Sequence, residues 1–420
     1  MIKRYVFDTL KEHLTKKEIS FIVGPRQAGK TTLMLMLKEY LEKKGDKTLF
    51  LNLDIERDKE FFNSQTRLIR KIELELGKQK GFVFIDEIHR KEDAGLFLKG
   101  IYDMDLPYKF IVSGSGSVEL KEKIHESLIG RKRIFELSTL SFEEFANFKT
   151  EYRYEGRLAD FFSLEREPGY EMLEEYLYFG GYPRIVLEEK LDEKLKLMNE
   201  IYQSYIERDI SYLLKVKKTD AFSNLVKIMG AQIGNLANLS DLSSTLGISV
   251  HTLKDYLWYL EKTFILRRIS PYFRNIRKEI TKSSVFYFYD LGLRNFALGG
   301  FGSLKEMGFV FQNFVLNILK EKTAIGSAGI HFWRTKEKAE IDFVIDSGSY
   351  LVPVEVKYKK LVKPEIPRAL RTFSKRYRSE KAVIINLALE ESVHLNHMEI
   401  LFIPFYRILE NRFFDSAMRG

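Results

Sequence analysis

The stretch ISFIVGPRQAGKTTLMLML, from Ile19 to Leu37, constrains the fold of this chain more than any other. A run of β-forming residues comes first, GPRQAGKT follows, and a helix-forming stretch comes next. This order fits the pattern G-x-x-x-x-G-K-[ST], whose glycines let backbone N–H groups wrap phosphates at a helix N-terminus. A chance glycine-rich turn is the alternative, but it requires neither the strand nor the helix. The stretch therefore predicts an α/β fold that binds a nucleoside triphosphate.

The loop residues are predicted to hold ATP and its magnesium ion. Lys30 is expected to reach the β and γ phosphates, and Thr31 to bind Mg²⁺. Contacts with the nucleotide are predicted for a continuous set of residues: Gly24, Pro25, Arg26, Gln27, Ala28, Gly29, Lys30, Thr31 and Thr32.

A second segment, GFVFIDEIHR, supplies two carboxylates. Its apolar residues, 82–85, predict a buried parallel strand. Asp86 follows at the carboxyl end of that strand, where ligands bind in open α/β sheets. We expect Asp86 to hold Mg²⁺ and Glu87 to orient and activate the attacking water. The alternative is a solvated acidic pair after a strand.

Two further residues of this region are candidates for contact with the γ-phosphate. In KFIVSGSGS, Ser113 could sense the phosphate at the end of a third strand, or could belong to a turn without a role. In LIGRKRIF, Arg131 could stabilise transition-state charge, either in cis or across a subunit interface. An ordinary surface arginine beside Lys132 and Arg133 is the alternative for Arg131.

The order GPRQAGKTT, FIDEIH, IVSGSGS and LIGRKRIFELSTLSFEEF resembles AAA+-superfamily ATPases of archaea and bacteria. The later signatures YFGGYPRIV, YIERDI and YFYDLGLRNFAL agree with the same family. The resemblance implies an AAA+-like P-loop domain, a helical segment and a C-terminal domain of formerly unknown function. Gln27 stands where the family usually has a second arginine, and we expect this difference to leave the phosphate contacts intact.

The middle of the chain predicts a helix-turn-helix. In NLANLSDLSSTLGISVHTLKDYLWYL, an amphipathic helix ends before Gly247, and Ser249 can cap a second one. Two β-type runs, Ile265–Ile269 and Val285–Tyr289, could form the wing of a winged helix.

Charge in this region suggests contact with DNA. Eight Lys/Arg and three Asp/Glu lie between His251 and Lys282. Arg267 and Arg268 are among those predicted to meet phosphates. The alternative is a winged helix that serves as a packing module or a surface for protein partners.

The segment EIDFVIDSGSYLVPVEVK near the C-terminus predicts a β-hairpin. A two-residue turn at Gly348-Ser349 suits type II′, which prefers glycine first. That register places Asp342 opposite Glu355, and Glu340 opposite Lys357. Neighbouring carboxylates repel unless a cation joins them. Oxygen ligands favour Mg²⁺ or Mn²⁺, so Asp342 and Glu355 are the predicted ligands of a second metal ion.

This arrangement resembles the core of the PD-(D/E)xK nuclease superfamily. The resemblance implies a catalytic role for Lys357 and a preceding helix that carries a further acid, where this chain has Gln312. From Lys357 to Lys381, ten Lys/Arg stand against two Glu, which suits a phosphate backbone. The alternatives are a solvated salt-bridge ladder and a nuclease fold kept as a scaffold.

Length and composition limit the remaining choices. A chain of 420 residues predicts several domains, which we place at 1–150 (P-loop ATPase), 151–290 (helical and winged helix) and 291–420 (nuclease-like α/β). The absence of cysteine excludes disulfides, zinc ribbons and thiol nucleophiles. No apolar run approaches the roughly 20 residues of a membrane span, so we expect a cytoplasmic protein without a membrane partner.

These features together predict an ATP-hydrolysing regulator that acts on nucleic acid, with DNA favoured over RNA. A net charge of +9 permits such a partner without requiring it. The alternative is a signalling or scaffold ATPase that acts through protein partners or a homo-oligomer, with an inactive nuclease fold.

Overall fold

The computed structural model describes residues 2–115, 128–204, 219–273, 283–304, 307–323 and 328–410. An N-terminal sheet of five parallel strands has the order β2-β3-β4-β1-β5, which confirms the predicted α/β class. The strands are β1 (Ile19–Gly24), β2 (Thr48–Asn52), β3 (Gly81–Asp86), β4 (Tyr108–Ser115) and β5 (Lys132–Glu136). The helices of this part are α1 (Val6–His13), α2 (Lys30–Lys43), α3 (Glu56–Lys59), α4 (Gln65–Leu76) and α5 (Ala94–Asp103).

Strands β1 and β3 are buried along their whole length, as expected for parallel strands with a core on each face. Their carboxyl ends, Gly24 and Asp86, lie at the same edge of the sheet because all the strands run in one direction. A Cβ on Gly24 would lie 2.0 Å from the carbonyl oxygen of Leu137, so only glycine fits there.

The middle of the chain is helical. Its helices are α6 (Phe142–Lys149), α7 (Leu158–Leu164), α8 (Arg166–Phe179), α9 (Pro183–Leu187), α10 (Leu191–Gln203), α11 (Thr219–Ala231), α12 (Leu239–Leu246), α13 (Val250–Lys262) and α14 (Leu291–Ala297). Helices α12 and α13 form the predicted helix-turn-helix, with Gly247 at a φ of 60° and the Ser249 hydroxyl capping α13. Strands β6 (Leu266–Ile269) and β7 (Val285–Phe288) pair antiparallel after it.

The C-terminal part is a mixed sheet of six strands in the order β12-β13-β11-β10-β9-β8. These strands are β8 (Gly329–Arg334), β9 (Glu340–Asp346), β10 (Leu351–Val356), β11 (Lys381–Asn386), β12 (Glu391–Leu395) and β13 (Met398–Pro404). Helix α15 (Gly308–Thr323) packs on one face and α16 (Arg368–Tyr377) on the other. No helix in the described ranges is long and apolar enough to cross a membrane.

The packing does not follow the domain boundaries predicted at 150 and 290. Residues Phe142 and Phe145 of α6 share one hydrophobic core with the middle helices, with α15 and with one face of the C-terminal sheet. Helix α14 packs mainly on α8, α10 and α11, and also contacts α15 and β7. Helices α6 and α14 therefore share a core with the middle helices, and the boundaries at 150 and 290 stay predictions.

Candidate active site

The P-loop connects the buried strand β1 to the N-terminus of α2. Gly29 has a φ of 95° and Gln27 a φ of 57°, so the loop uses left-handed backbone conformations to turn sharply into the helix. The ammonium of Lys30 donates to the carbonyl oxygens of Gly24 at 3.1 Å and Pro25 at 2.8 Å. These two bonds hold the charge of Lys30 over the loop, at a helix end that favours phosphate.

Thr31 and Asp86, the predicted ligands of Mg²⁺, lie side by side at the edge of the sheet. The Thr31 hydroxyl donates to Asp86 Oδ2 at 2.7 Å. A hydroxyl and a carboxylate are oxygen ligands that suit Mg²⁺ with water in its other positions, so these side chains fit the ion. The predicted sensor Ser113 is fully buried, and its hydroxyl donates to Asp86 Oδ1. Ser113 therefore orients Asp86. It does not line the cavity described below, and its role as a sensor stays a prediction.

Glu87 stands next to Asp86 in a left-handed conformation, with a φ of 55°. Its N–H donates to Asp86 Oδ1 at 3.1 Å, and this bond holds the unusual backbone in place. Burial raises the pKa of the Glu87 carboxyl, but His89, with Nδ1 2.9 Å from Oε2, and the charges of Lys30 and Arg26 outweigh burial and lower the pKa overall. Oε2 has no well-directed hydrogen bond in the described structure, in spite of this short distance to His89. Glu87 is therefore ionised at neutral pH and able to accept a hydrogen bond from water.

A cavity of about 700 Å³ opens over these residues. This volume lies within the range of small-ligand pockets, about 300–1,000 Å³. The P-loop, Thr32 and Glu87 line one side, and the middle helices contribute Pro183, Arg184 and Leu187. Sequence reasoning noted the signature YFGGYPRIV but assigned it no chemistry, and thus missed these residues.

Arg184 is the cation that the middle helices bring to the P-loop. Its Nη1 donates to Gln27 Oε1 at 3.2 Å and to Glu200 Oε2 at 3.1 Å. The turn before it is fixed because the Gly181 N–H donates to Asp290 Oδ2 at 2.8 Å. Asp290 belongs to the signature YFYDLGLRNFAL, so two motifs without assigned chemistry meet behind the cavity wall.

Arg131 lies at the wrong end of the sheet for the predicted role in cis. Its carbonyl oxygen accepts the N–H of Ile19, the first residue of β1. The P-loop follows the last residue, which is about 17 Å away at the rise of a strand. The guanidinium instead binds Asp103, with Nε 2.7 Å from Oδ1. A role across a subunit interface remains only a prediction.

The C-terminal hairpin has the predicted register. Val354 pairs with Phe343, and Gly348 in the turn has a φ of 81°. Beyond that pair the strands separate, and Asp342 Oδ2 accepts the Val356 N–H at 2.7 Å. The other oxygen, Oδ1, accepts the side-chain N–H of Gln312 on α15 at 2.9 Å.

The carboxylate of Glu355 already has a positively charged partner within this cluster. Lys357 Nζ donates to Glu355 Oε2 at 3.0 Å. The predicted partner of Lys357, Glu340, lies instead 3.6 Å from Arg334 on β8, so that pairing was wrong. Burial and then the charge of Glu355 raise the pKa of Asp342 to about 8, and burial raises the pKa of Glu355.

The predicted second metal ion does not fit this cluster. The described residues contain no group of three or more His, Cys, Asp or Glu side chains placed to hold a metal ion. Gln312 presents its N–H to Asp342, and an ammonium occupies the side of Glu355 that a cation would take. This arrangement of Asp342 and Glu355 therefore gives no support to a second metal ion, which stays a prediction.

The helix-turn-helix carries fewer available cations than predicted. The guanidinium of Arg267 stacks on the ring of Tyr289 at 4.2 Å, and its Nε is buried. This edge of the guanidinium is therefore not accessible to a phosphate. Arg268 is exposed and donates to the Ser284 hydroxyl at 2.8 Å. Of the other basic residues predicted to meet phosphates, Lys254 is exposed on α13, and 274, 277 and 278 lie outside the described residues.

A stronger basic surface lies on α16. Its exposed cations are Arg368, Arg371, Lys375, Arg376 and, just past its end, Arg378. The apolar face of α16 is buried against β9 and β10. Val354 and Val356 point into the core on the opposite face of the sheet, so Glu355 and Lys357 point to the α16 side.

Comparison with known proteins separates the chain into three matched regions. Residues 16–146 match an AAA domain, residues 170–304 match a domain of unknown function (DUF8612), and residues 307–406 match another (DUF4143). The last match begins at 307, after the end of α14.

Relatives along most of the chain are uncharacterized proteins. One from Mycobacterium tuberculosis is 25% identical over 86% of this chain and 75% of its own length. One from Methanocaldococcus jannaschii is 24% identical over 89% of this chain and 82% of its own length.

Among solved structures, replication initiator DnaA bound to AMPPCP and single-stranded DNA is 15% identical, covering 62% of this chain and 88% of that one, with a TM-score of 0.29. A STAND protein with a tetratricopeptide repeat sensor from Pyrococcus horikoshii is 13% identical, covering 77% and 46%, with a TM-score of 0.28. Likenesses this low carry no functional conclusion. The match of residues 16–146 to an AAA domain agrees with the geometry of the P-loop, Asp86 and Glu87, and supports an AAA-like nucleotide-binding domain in the N-terminal third of the chain.

Proposed function

We propose that this protein is an Mg²⁺-dependent ATP-hydrolysing regulator whose nucleotide state sets the position of its middle helices. The observation that carries the proposal is the cavity over Lys30, Thr31 and Glu87, because the P-loop and α9 both line it. A nucleotide bound there touches both parts, so replacing ATP by ADP changes the contact between them. A switch of this kind needs a ligand that binds one position of the helices more tightly than another. The contacts that the nucleotide gains with α9 supply this difference in binding free energy.

The experiment measures ATP binding by calorimetry and phosphate release in the presence of Mg²⁺. We expect saturable binding and slow turnover that stops when the ion is chelated. Protection of α9 from hydrogen exchange should differ between ATP and ADP. A protein that binds no ATP at millimolar concentration would remove the proposal, and identical protection in both states would remove the regulatory part.

The basic face of α16 favours nucleic acid as the partner of the C-terminal part. Its cations are mostly arginines, which bind phosphate oxygens in a bidentate manner. An anionic bilayer is disfavoured because the apolar face of α16 is already buried in its own sheet. We propose duplex DNA as the ligand of this surface, and we assign no cleavage to Glu355 and Lys357, since the cluster does not fit a metal ion.

Salt dependence tests this surface. Replacing Arg368, Arg371 and Lys375 by alanine should flatten the dependence of log K on log salt by up to about three units, since each lost phosphate contact removes about 0.9. The control replaces Lys254 of α13 and Arg268 of β6 by alanine, and we expect the slope to stay near the wild-type value.

A flattened slope in the control alone would move the DNA surface to α13. No binding by the wild type at low salt would favour the scaffold ATPase that acts through protein partners. Fluorescence anisotropy with a labelled duplex between about 50 and 200 mM salt covers the useful range.

A further inference from the structure

Arg4 is part of the wall of the nucleotide cavity, where it joins three separate segments of the chain. It is 8% exposed and precedes α1. Its Nη1 donates to the P-loop carbonyl of Ala28 at 2.9 Å, and its Nη2 donates to the carbonyls of Ser138 at 2.7 Å and Thr139 at 3.4 Å. Its Nε donates to Glu144 Oε2 at 3.1 Å. One planar guanidinium thus fixes the position of a P-loop carbonyl relative to two other segments.

The bond to Ala28 controls the direction of the next N–H group. A trans peptide is planar, so its C=O and N–H point in opposite directions. When Arg4 holds the Ala28 oxygen towards the interior, the N–H of Gly29 is aimed away from Arg4. In a P-loop, backbone N–H groups are the donors that bind phosphate oxygens. Gly29, with its φ of 95°, is the residue at which the loop turns into α2.

Arg4 acts on the nucleotide site through the geometry of its hydrogen bonds and not through its charge. The carboxylate of Glu144 forms a buried salt bridge with it, the two side chains being 7% and 6% exposed, so little positive charge is left for the nucleotide. Glu144 is itself fixed, because it accepts the N–H of Tyr5 at 2.8 Å and the N–H of Ser141 at 3.0 Å in the capping box of α6. The anchor of Arg4 is therefore rigid.

We propose that Arg4 is a positioning residue of the nucleotide site: by holding the carbonyl of Ala28, it orients the N–H of Gly29 towards the phosphates. The inference deepens the proposed function and rests on nucleotide binding at the P-loop. It assigns Arg4 a contribution to the binding of phosphate groups and none to the binding of the nucleoside. It also makes the contribution equal in the ground and transition states, since the same N–H binds the phosphate in both.

The test compares Arg4→Met and Arg4→Lys with the wild type, using calorimetry with ATP, ADP and adenosine. We expect Arg4→Met to weaken ATP and ADP by roughly 10- to 100-fold, the usual size for a lost hydrogen bond to a charged group. Adenosine affinity should stay the same. In turnover, KM should rise and kcat should stay near the wild-type value, because uniform binding has been lost. Arg57→Met, at an 86% exposed side chain, is the matched control and should change nothing.

Arg4→Lys separates geometry from charge. Lysine keeps the charge but lacks the planar fork that reaches all of these acceptors, so we expect it to restore less than half of the lost binding free energy. Full restoration by lysine, or wild-type ATP affinity in folded Arg4→Met, would overturn the inference. If Arg4→Met does not fold, Arg4→Lys decides: a loss confined to ATP and ADP supports the inference, and an equal loss for adenosine overturns it. Absence of ATP binding in the wild type would instead refute the proposed function itself.

Discussion

Glu87→Gln should lower ATP hydrolysis by at least about 100-fold and leave ATP affinity within about threefold of the wild type. The carboxylate is ionised at neutral pH because His89, Lys30 and Arg26 together outweigh the effect of burial on its pKa. Glutamine keeps the size and the hydrogen-bonding ability of the side chain but cannot take up the proton of the attacking water. Phosphate release under single-turnover conditions, with binding measured by calorimetry, separates the two effects.

Lys30→Ala is the control, because we expect it to lose ATP binding, whereas Glu87→Gln keeps binding and loses hydrolysis. Loss of the ammonium that Gly24 and Pro25 hold over the loop should abolish binding itself at sub-millimolar ATP. Wild-type turnover in Glu87→Gln would transfer the role of base to another group. An equal loss of binding in both variants would indicate that Glu87 supports the fold of the loop, in which its left-handed conformation takes part.

The parts of the nucleotide site that are local in sequence were predictable from it. A strand, a glycine-rich loop and a helix follow each other without interruption, so Lys30 and Thr31 needed no knowledge of long-range contacts. Asp86 was predictable because every parallel strand ends at the same edge of the sheet. Arg4 and Arg184 were not, since each reaches the loop through packing between segments that are far apart in the chain.

Arg131 and Arg267 show why a basic residue near a motif is weak evidence. Arg131 directly precedes β5, so its position at the amino edge depends on the order of strands in the sheet. Arg267 lies on a predicted wing strand, but the ring of Tyr289 covers it. The helices of the helix-turn-helix were predictable from local capping and periodicity, whereas the availability of their charges depended on neighbours that the pattern does not specify.

The hairpin register was predictable from its turn, because a two-residue loop fixes which residues face each other. The state of its carboxylates was not. Asp342 receives N–H groups from Gln312 and from Val356, and the second donor is a backbone group that is free only where the two strands separate. Sequence alone gives no sign of that separation, so it suggested a metal ion as the balancing charge.

The free energy of unfolding of Asp342→Asn should increase relative to that of the wild type as pH rises from about 4 to 8. The pKa of Asp342 in the folded protein is raised from 3.8 to about 8, so folding favours its protonated form. The stability that this adds is fully present below pH 4 and is lost as pH rises through the folded pKa. Asparagine cannot ionise, so the variant keeps only the loss that the raised pKa of Glu355 contributes, whereas the wild type has both losses. One pKa unit corresponds to about 1.4 kcal/mol, so a shift of this size is measurable even after a discount for partial exposure.

Urea unfolding at several pH values between 4 and 8 measures the difference, with Asp346→Asn as the control on the same strand. Asp346 accepts the N–H of Gly348 in the turn, a bond that asparagine can also accept, so this variant should follow the wild-type profile. Lys30→Ala as the background for all three proteins removes any contribution of magnesium at the P-loop. In that background millimolar Mn²⁺ should not stabilise the protein, because Lys357 already balances Glu355. Stabilisation by Mn²⁺ that disappears in Asp342→Asn would show instead that the ion displaces the proton, and the nuclease-like cluster would then be a metal site after all.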